Sequence, residues 1–327
     1  MTIYGVDGAE WGATNQQTIN YLSTHNVKAM RMAMYINEWN SDLVHWQTGD
    51  HIQQKYAQIS AWCHAKGMKL IISAFGTEWD PPEGWEPMKQ AAIDNVNGAG
   101  DTWINTYADI IRVINPDAIC VMNEPPSDCP YAHYKDFCIK AITAWRAISP
   151  NITIVAHSIP FWDFRAVTSD PLPFNNIKYA LHYYYDYDNT DPRTWSYVDQ
   201  PQIDYWDGNL AEAKVGLFDY LDRLIGVQGA IDAGLQIWVQ EAGTNYLNPN
   251  YLQFYKDFID YTVARNLEMG MLHVYRIRSE TPNGILETVN PDKFNDLGNV
   301  IEVAPPGQPL KFAGKTWTLQ SGNWSLE

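Results

Sequence analysis

The 327-residue chain is long enough to bury a large core, so it needs neither a disulfide nor a metal to fold. Hydrophobic residues make up 46% and charged residues 18%, which excludes a disordered chain. Its 22 basic and 38 acidic residues give a formal net charge of −16. Such a surface repels nucleic acid and anionic membranes, so we expect a monomer with a neutral partner.

Eight short apolar runs alternate with helical patterns along the chain. Most are continuous, which is typical of strands buried on both faces of a parallel sheet. The predicted strands are Ile3–Asp7, Val27–Met32, Lys69–Ala74, Ala118–Met122, Thr153–Ala156, Lys178–His182, Gln236–Gln240 and Met269–Tyr275. This alternation indicates a closed barrel or an open doubly wound sheet. The first strand lacks the glycine-rich turn of dinucleotide-binding proteins, which favours an α/β fold of the (β/α)8 TIM barrel type.

Long segments follow several of the predicted strands. The segments Gly76–Gly100 and Tyr183–Gly208 combine aromatic, proline and polar residues and are predicted as long βα loops. Barrel active sites are built from such loops. The chain has 14 Trp and 20 Tyr, more than a barrel core needs, so we expect exposed loop rings that stack on a ligand. The candidates are Trp79, Trp162, Trp195 and Trp206.

The sequence predicts two domains. The barrel is assigned to residues 1–304 and a C-terminal extension to residues 305–327, where Lys311–Trp317 and Thr318–Trp324 alternate as short strands do. The extension is either a strand pair on the barrel or the beginning of a further β-domain. The N-terminus shows no signal-peptide pattern; we expect an exported protein in its mature form, with a cytoplasmic protein as the alternative.

The four cysteines permit two interpretations. Cys63 and Cys120 lie in apolar patterns and are predicted to be buried thiols. Cys129 and Cys138 flank a predicted helix start and could close a small loop in an exported protein, or remain free.

The sequence offers two weak candidates for a metal site. Cys129, Cys138 and His133 lack a fourth zinc ligand, and the acidic run at 186–191 lacks the residue spacing of an EF-hand calcium site. We therefore predict neither a metal nor a cofactor.

Two carboxylates follow apolar strands at equivalent places. Glu124 ends Val121-Met122-Asn123-Glu124, and Glu241 ends Trp238-Val239-Gln240-Glu241. Strand ends of a barrel meet at one rim, so both carboxylates are expected to face one cleft. Glycosidic cleavage needs such a pair, one to protonate the leaving oxygen and one to attack the anomeric carbon.

Arg31, His182 and Tyr184 end two other predicted strands at the same rim. With Asn-Glu-Pro after strand four and a Glu after strand seven, these residues resemble glycoside hydrolase family 5, the cellulase family of retaining barrel glycosidases. The similarity spans Ile3 to about Ser279.

The resemblance implies a role for each of these residues. Glu124 corresponds to the acid/base and Glu241 to the nucleophile. The other implied contacts are Asn123 on the sugar 2-hydroxyl, Arg31 and Tyr184 on Glu241, and His182 near Glu124. Two positions depart from the family: Ser73 stands in the strand-three end that often carries His, and Tyr275 replaces a common Trp after strand eight.

The expected function is endo-β-1,4-glucanase activity on a polysaccharide or oligosaccharide. The alternatives are a β-mannanase or exo-β-glucosidase of the same clan, a non-catalytic glycan-binding barrel, and an acidic metal-dependent barrel enzyme. Arg31 also permits a structural interpretation, as a buried cation paired with Asp7.

Overall fold

The computed structural model describes residues 5–7, 29–40, 51–76, 85–184, 200–243, 249–269, 301–302, 310–312, 315–320 and 323–326, and the single positions 16, 19, 20 and 23. Eight strands form one sheet in chain order, and each strand pairs in parallel with the next. They are β1 (Gly5–Asp7), β2 (Ala29–Tyr35), β3 (Lys69–Phe75), β4 (Ala118–Cys120), β5 (Thr153–Ala156), β6 (Ile177–Tyr184), β7 (Gln236–Gly243) and β8 (Glu268–Met269). The predicted (β/α)8 barrel is confirmed.

Helices connect the strands. They are α1 (Ile36–Trp39), α2 (Ile52–Ala65), α3 (Trp85–Ile93), α4 (Ala99–Ile114), α5 (Tyr131–Arg146), α6 (Arg165–Ser169), α7 (Gln200–Asp207), α8 (Leu210–Asp219), α9 (Val227–Asp232) and α10 (Tyr251–Ala264). Two of them, α3 and α7, lie inside segments predicted as loops. Their short apolar patterns are interrupted by Pro87 and Pro201 near the helix starts, where proline is tolerated.

The helical spacing of Leu217, Leu221 and Leu224 predicts one long helix, but the helix is interrupted in the structure. After α8 the chain forms one π-helical turn, Tyr220–Leu224, and α9 begins only at Val227. Gly226 adopts φ 86°, a left-handed conformation that ends the regular helix. Helical periodicity continues through this interruption, so the apolar spacing alone does not reveal it.

Helix α4 fixes the strand ends that surround the site. Trp103 donates from Nε1 to the carbonyl of Val121 at 3.1 Å, directly after β4. The Tyr107 hydroxyl lies within hydrogen-bond distance of the carbonyls of Met34 and Phe75, at 2.6 and 2.7 Å. One helix therefore holds the carboxyl ends of three neighbouring strands in register.

A small apolar cluster fills the inside of the barrel. Its members come from six strands and are separate from the larger core beneath the helices, so they face the barrel axis. We call it the inner apolar cluster: Ala29, Ile71, Ala118, Cys120, Val155, Ala180 and Trp238. Because side chains alternate along a strand, the residues two positions further on point inward as well.

The described residues of the C-terminal extension form three strands of a four-stranded antiparallel sheet, and the fourth strand precedes the extension. The order of the sheet is β12 (Asn323–Leu326), β11 (Lys315–Gln320), β10 (Leu310–Phe312) and β9 (Ile301–Glu302). Both predicted strand bounds are wrong, because the chain reverses between Phe312 and Lys315 and between Gln320 and Asn323 while the alternation continues through both reversals. Strand β9 pairs with β10, although Ile301–Glu302 lies within the predicted barrel range.

All four cysteines are buried free thiols, so Cys129 and Cys138 are not bridged. Burial raises the pKa of Cys63 to about 12 and that of Cys120 to about 11. Within the described parts of the chain, no helix combines the length and apolar character needed to cross a membrane.

Candidate active site

A layer of buried polar side chains lies directly above the inner apolar cluster. Each member stands two residues after a cluster member on the same strand or at its end, and each is at most 2% exposed. We call it the polar layer: Arg31, Ser73, His157, His182 and Gln240. Strand alternation therefore directs these side chains into the mouth of the barrel.

Glu241 joins the polar layer through an irregularity in β7. Leu181 pairs with Val239, but His182 pairs with Glu241, so Gln240 is the extra residue of a β-bulge. In a regular strand Gln240 and Glu241 would point to opposite faces. The bulge re-aims the second side chain, and both are hydrogen-bonded on the inner side of the strand.

Glu124 reaches the same place through an unusual backbone conformation. Its φ is 44°, in the left-handed region that non-glycine residues rarely adopt. The buried Lys89 on α3 donates to the Glu124 carbonyl at 2.7 Å, and the backbone N–H of Asn123 donates to the Ala74 carbonyl at 2.8 Å. These bonds hold the strained turn, as is common at functional sites.

Arg31 organises the side of the site on which Glu241 lies. Its guanidinium donates from Nη1 to Glu241 Oε1, from Nη2 to Asn123 Oδ1 at 2.6 Å, and from Nε to Ser73 Oγ at 2.6 Å. Arg31 is 1% exposed and Glu241 is 5% exposed, so the ion pair is buried. Such a pair keeps the carboxylate ionised and fixes its orientation.

His182 organises the other carboxylate. Its Nδ1 lies 2.8 Å from Glu124 Oε1 and 3.5 Å from Glu241 Oε2. Its Nε2 lies 2.9 Å from Gln240 Oε1. Burial alone would lower the pKa of His182, but the charges of Glu241 and Glu124 outweigh it and raise that pKa. The imidazole is therefore held toward its protonated form between two carboxylates.

His157 lies against His182 and has the opposite character. The two rings meet edge to face, with their centroids 4.6 Å apart. Neither ring nitrogen of His157 has a hydrogen-bond partner among the described residues. Burial, followed by the nearby His182, holds its pKa well below the ordinary value. His157 is thus held toward its neutral form, whereas the neighbouring His182 is held toward its protonated form.

The two carboxylates converge on one gap. Carboxylate oxygens of Glu124 and Glu241 and a ring nitrogen of His182 all lie within 4.8 Å of one another. These three residues are also a possible metal-ligand group, but a cation there would be repelled by the Arg31 guanidinium that already pairs with Glu241. The separation falls near the 5–5.5 Å that retaining glycosidases require, and below the wider gap of inverting ones.

The other predicted residues have different outcomes. Trp162 is 40% exposed and packs on Phe161, whose ring centroid lies 6.1 Å from that of His182. Trp206 lies half-buried on α7, and no contact among the described residues joins it to the carboxylates. The Tyr184 side chain lies outside the described residues, as do Trp79, Trp195 and Tyr275. The Asp7 side chain, proposed above as an alternative partner of Arg31, lies outside them too.

The sequence analysis missed Gln240, Lys89 and His157 as site residues, and it noted Ser73 only as a departure from the family. Three of these could have been found from alternation, since Ser73, His157 and Gln240 are each polar residues at an inward position. Nothing in the sequence points to Lys89, because it lies on a helix in a segment predicted as a loop.

A protein-family model and several solved structures are similar to this chain. The family model Cellulase (glycosyl hydrolase family 5) matches residues 1–271. No curated protein sequence matches the chain significantly.

Solved structures share the fold at low sequence identity. The cellotetraose complex of an endocellulase from Pyrococcus horikoshii has a TM-score of 0.64 and 14% identity, covering 91% of this chain and 92% of that chain. Thermotoga maritima Cel5A with mannotriose has a TM-score of 0.62 and 12% identity, covering 90% and 96%. The mannanase catalytic domain from Streptomyces sp. SirexAA-E has a TM-score of 0.59 and 15% identity, covering 92% and 84%.

Proposed function

Since this chain belongs to glycosyl hydrolase family 5, the cellulase family, and is thereby a glycoside hydrolase, we propose that it is an endo-β-1,4-glucanase acting by double displacement. The observation that carries the proposal is the convergence of Glu124 and Glu241, with oxygens within 4.8 Å, on opposite sides of the barrel rim. Such a gap holds one glycosidic bond and leaves no room for a water between nucleophile and sugar.

The first step forms a glycosyl-enzyme ester. The Glu241 carboxylate attacks the anomeric carbon, and the bond between that carbon and the glycosidic oxygen breaks. The departing oxygen takes the proton of Glu124, which becomes a carboxylate. Arg31 keeps Glu241 ionised before attack, because its buried guanidinium pairs directly with that carboxylate.

The second step hydrolyses the ester. Glu124, now a carboxylate, removes a proton from a water molecule as the water oxygen attacks the anomeric carbon. The bond from that carbon to Glu241 breaks, so both carboxyl groups return to their starting states and configuration is retained. The protonated His182 stabilises the Glu124 anion between the two steps, at a distance of 2.8 Å.

Asn123 and Trp162 support substrate binding in this proposal. The Asn123 side-chain carbonyl accepts from Arg31, which fixes the amide and leaves its N–H₂ group for the sugar 2-hydroxyl. Trp162 is an exposed ring on the same side of the barrel as His182 and provides a flat apolar face for a pyranoside.

The choice of glucan rests on the family and on the relatives of similar structure, one of which binds cellotetraose. A β-mannanase is the second candidate, because one relative is a mannanase and another binds mannotriose. Because a long glucan cannot enter a cell, we also propose that the protein acts outside it; fractionating the source culture and assaying each fraction would test this.

A substrate panel tests the function. Purified protein is incubated with carboxymethyl cellulose, mixed-linkage β-glucan, mannan and xylan, and both viscosity and reducing ends are measured. We expect cleavage of the two glucans, with viscosity falling faster than reducing ends appear. Glu241→Ala is the matched control against contaminating hydrolases.

The panel also separates the alternatives. Product from mannan alone identifies a β-mannanase, and release of glucose without loss of viscosity identifies an exo-acting enzyme. Binding to glucan without any product contradicts the proposed activity.

A further inference from the structure

The buried Gln240 takes no part in the two chemical steps above. Its side chain nevertheless contacts His182, which binds Glu124, and Ser73, which binds the Arg31 guanidinium beside Glu241. Its side-chain oxygen lies 2.9 Å from His182 Nε2, and its Nε2 donates to Ser73 Oγ at 3.1 Å. The residue is fully buried and lies in the β-bulge immediately before Glu241. Hydrogen bonds therefore hold both the oxygen and the nitrogen of the buried Gln240 amide.

Ser73 extends the contact to the nucleophile. Its hydroxyl oxygen accepts from Gln240 Nε2 and also from Arg31 Nε, at 2.6 Å. An unbroken chain of hydrogen bonds therefore runs from Glu124 through His182, Gln240, Ser73 and Arg31 to Glu241.

The surroundings of His182 decide which way the Gln240 amide points. The ring is faced by two carboxylates, Glu124 and Glu241, by the guanidinium of Arg31 and by the neutral ring of His157. An imidazolium is a donor at both nitrogens, and Nδ1 already has Glu124 as its acceptor. Nε2 then requires an acceptor, which is the carbonyl side of the amide.

We propose that Gln240 is a positioning residue that holds a proton on His182 Nε2 and thereby keeps His182 Nδ1–H directed at Glu124, with Ser73 fixing the amide in that orientation. This inference rests on the proposed role of Glu124 as acid/base. Without the Gln240 carbonyl, the imidazolium loses the acceptor that lies 2.9 Å from Nε2, so the ring holds its proton less firmly or turns away from Glu124.

Two substitutions at one position separate this role from a structural one. Gln240→Met keeps the volume but removes the acceptor, and Gln240→Glu keeps the shape and adds a stronger acceptor. The pKa of His182 is measured by NMR titration with labelled histidine, assigned with a His182→Asn variant. We expect the pKa to fall in Gln240→Met and to rise in Gln240→Glu.

Kinetics should follow the titration. For Gln240→Met we expect kcat/KM on an aryl glycoside with a poor leaving group to fall about 10–100-fold, the effect of losing one hydrogen bond to a charged group. The fall should be smaller on a good leaving group, which needs little protonation.

Gln202→Met is the matched control. Gln202 is equally buried and donates to the Tyr183 hydroxyl at 2.7 Å, but it lies on α7 away from the carboxylates. This variant should lose stability without moving the pKa of His182. Ser73→Ala should lower that pKa less than Gln240→Met does, because the amide is then free to turn over.

An unchanged His182 pKa in Gln240→Met, or shifts of the same sign in Gln240→Met and Gln240→Glu, would overturn the inference. If Gln240→Met does not fold, Ser73→Ala decides, and an unchanged pKa there has the same meaning. The titration needs no turnover, so a wild-type protein inactive on every glycoside would refute the proposed function alone.

Discussion

The inner apolar cluster and the polar layer lie on the same strands, two residues apart, yet they are stabilised in different ways. Ala29, Ile71 and Ala180 need only to exclude water, so similar side chains can replace them at small cost. Directly above them lie Arg31, Ser73 and His182. The burial of these polar side chains is tolerated only because each one has a hydrogen-bond partner.

This difference shows how a barrel combines a stable base with a reactive mouth. Alternation supplies inward positions at every level, and the choice of residue at each level decides whether the position fills space or carries charge. The buried polar groups are hydrogen-bonded to one another. Removing one of them leaves its neighbour buried without that partner, which lowers the free energy of unfolding. Substitutions in the two layers should therefore have unequal consequences.

The largest effect is expected from Glu241→Ala. Turnover should fall by about four to six orders of magnitude, because no nucleophile remains to form the ester. Added azide should restore cleavage of an activated aryl glycoside and give a glycosyl azide of inverted configuration, identified by NMR. Glycosyl azide with retained configuration would assign the nucleophile to another residue.

Glu124→Ala should have the next largest effect. On substrates with poor leaving groups the rate of ester formation should fall about 10²–10⁴-fold, the usual contribution of a general acid. Aryl glycosides with good leaving groups should be spared in that step, as measured by burst kinetics. Equal losses on both substrate types would contradict the acid role.

Arg31→Met breaks the polar layer at its most connected member. The free energy of unfolding should fall by about 3–5 kcal/mol, because the buried carboxylate of Glu241 loses its guanidinium partner. Urea denaturation measures the change. The double variant Arg31→Met, Glu241→Gln serves as the control and should recover part of the loss, since it removes the buried charge of Glu241.

Glu241→Gln tests the electrostatics of the polar layer. Glu241 contributes the largest of the charges that raise the pKa of His182, so that pKa should fall in the variant, as followed by NMR.

The pH dependence of stability gives a second measurement of the same effect. A raised histidine pKa stabilises the folded protein below the ordinary histidine pKa, and this contribution disappears as the pH rises through the folded value. Thermal unfolding of Glu241→Gln should therefore vary less with pH over this window than that of the wild type. Identical pH dependence would contradict the coupling.

The smallest effect is expected from Ile71→Val in the inner apolar cluster. Losing one methylene should cost about 0.5–1.5 kcal/mol of unfolding free energy, measured by urea denaturation. The pH profile of activity should not change, because the Ile71 side chain is apolar and neither carries a charge nor forms a hydrogen bond, although it pairs with Arg31 across β2 and β3. A shifted profile would show that the two layers are not separable.

The fold was predictable because its signals are local. Apolar runs of β-branched and aliphatic residues located the first seven strands to within a few residues, whereas most of the predicted eighth strand, Met269–Tyr275, lies outside the described residues. Parallel order placed Glu124 and Glu241 at one rim. The tail was less predictable, because alternation does not reveal where the chain reverses between Phe312 and Lys315.

The sequence by itself determined the barrel and the pair of acidic side chains at its mouth, since hydrophobic period and strand ends are properties of neighbouring residues. Only the tertiary structure decided that Gln240 meets Ser73, which is 167 positions away, and that a bulge turns Glu241 inward. It also decided the left-handed backbone of Glu124. Those features depend on strand register and on which buried donor finds which acceptor, and no local pattern encodes either.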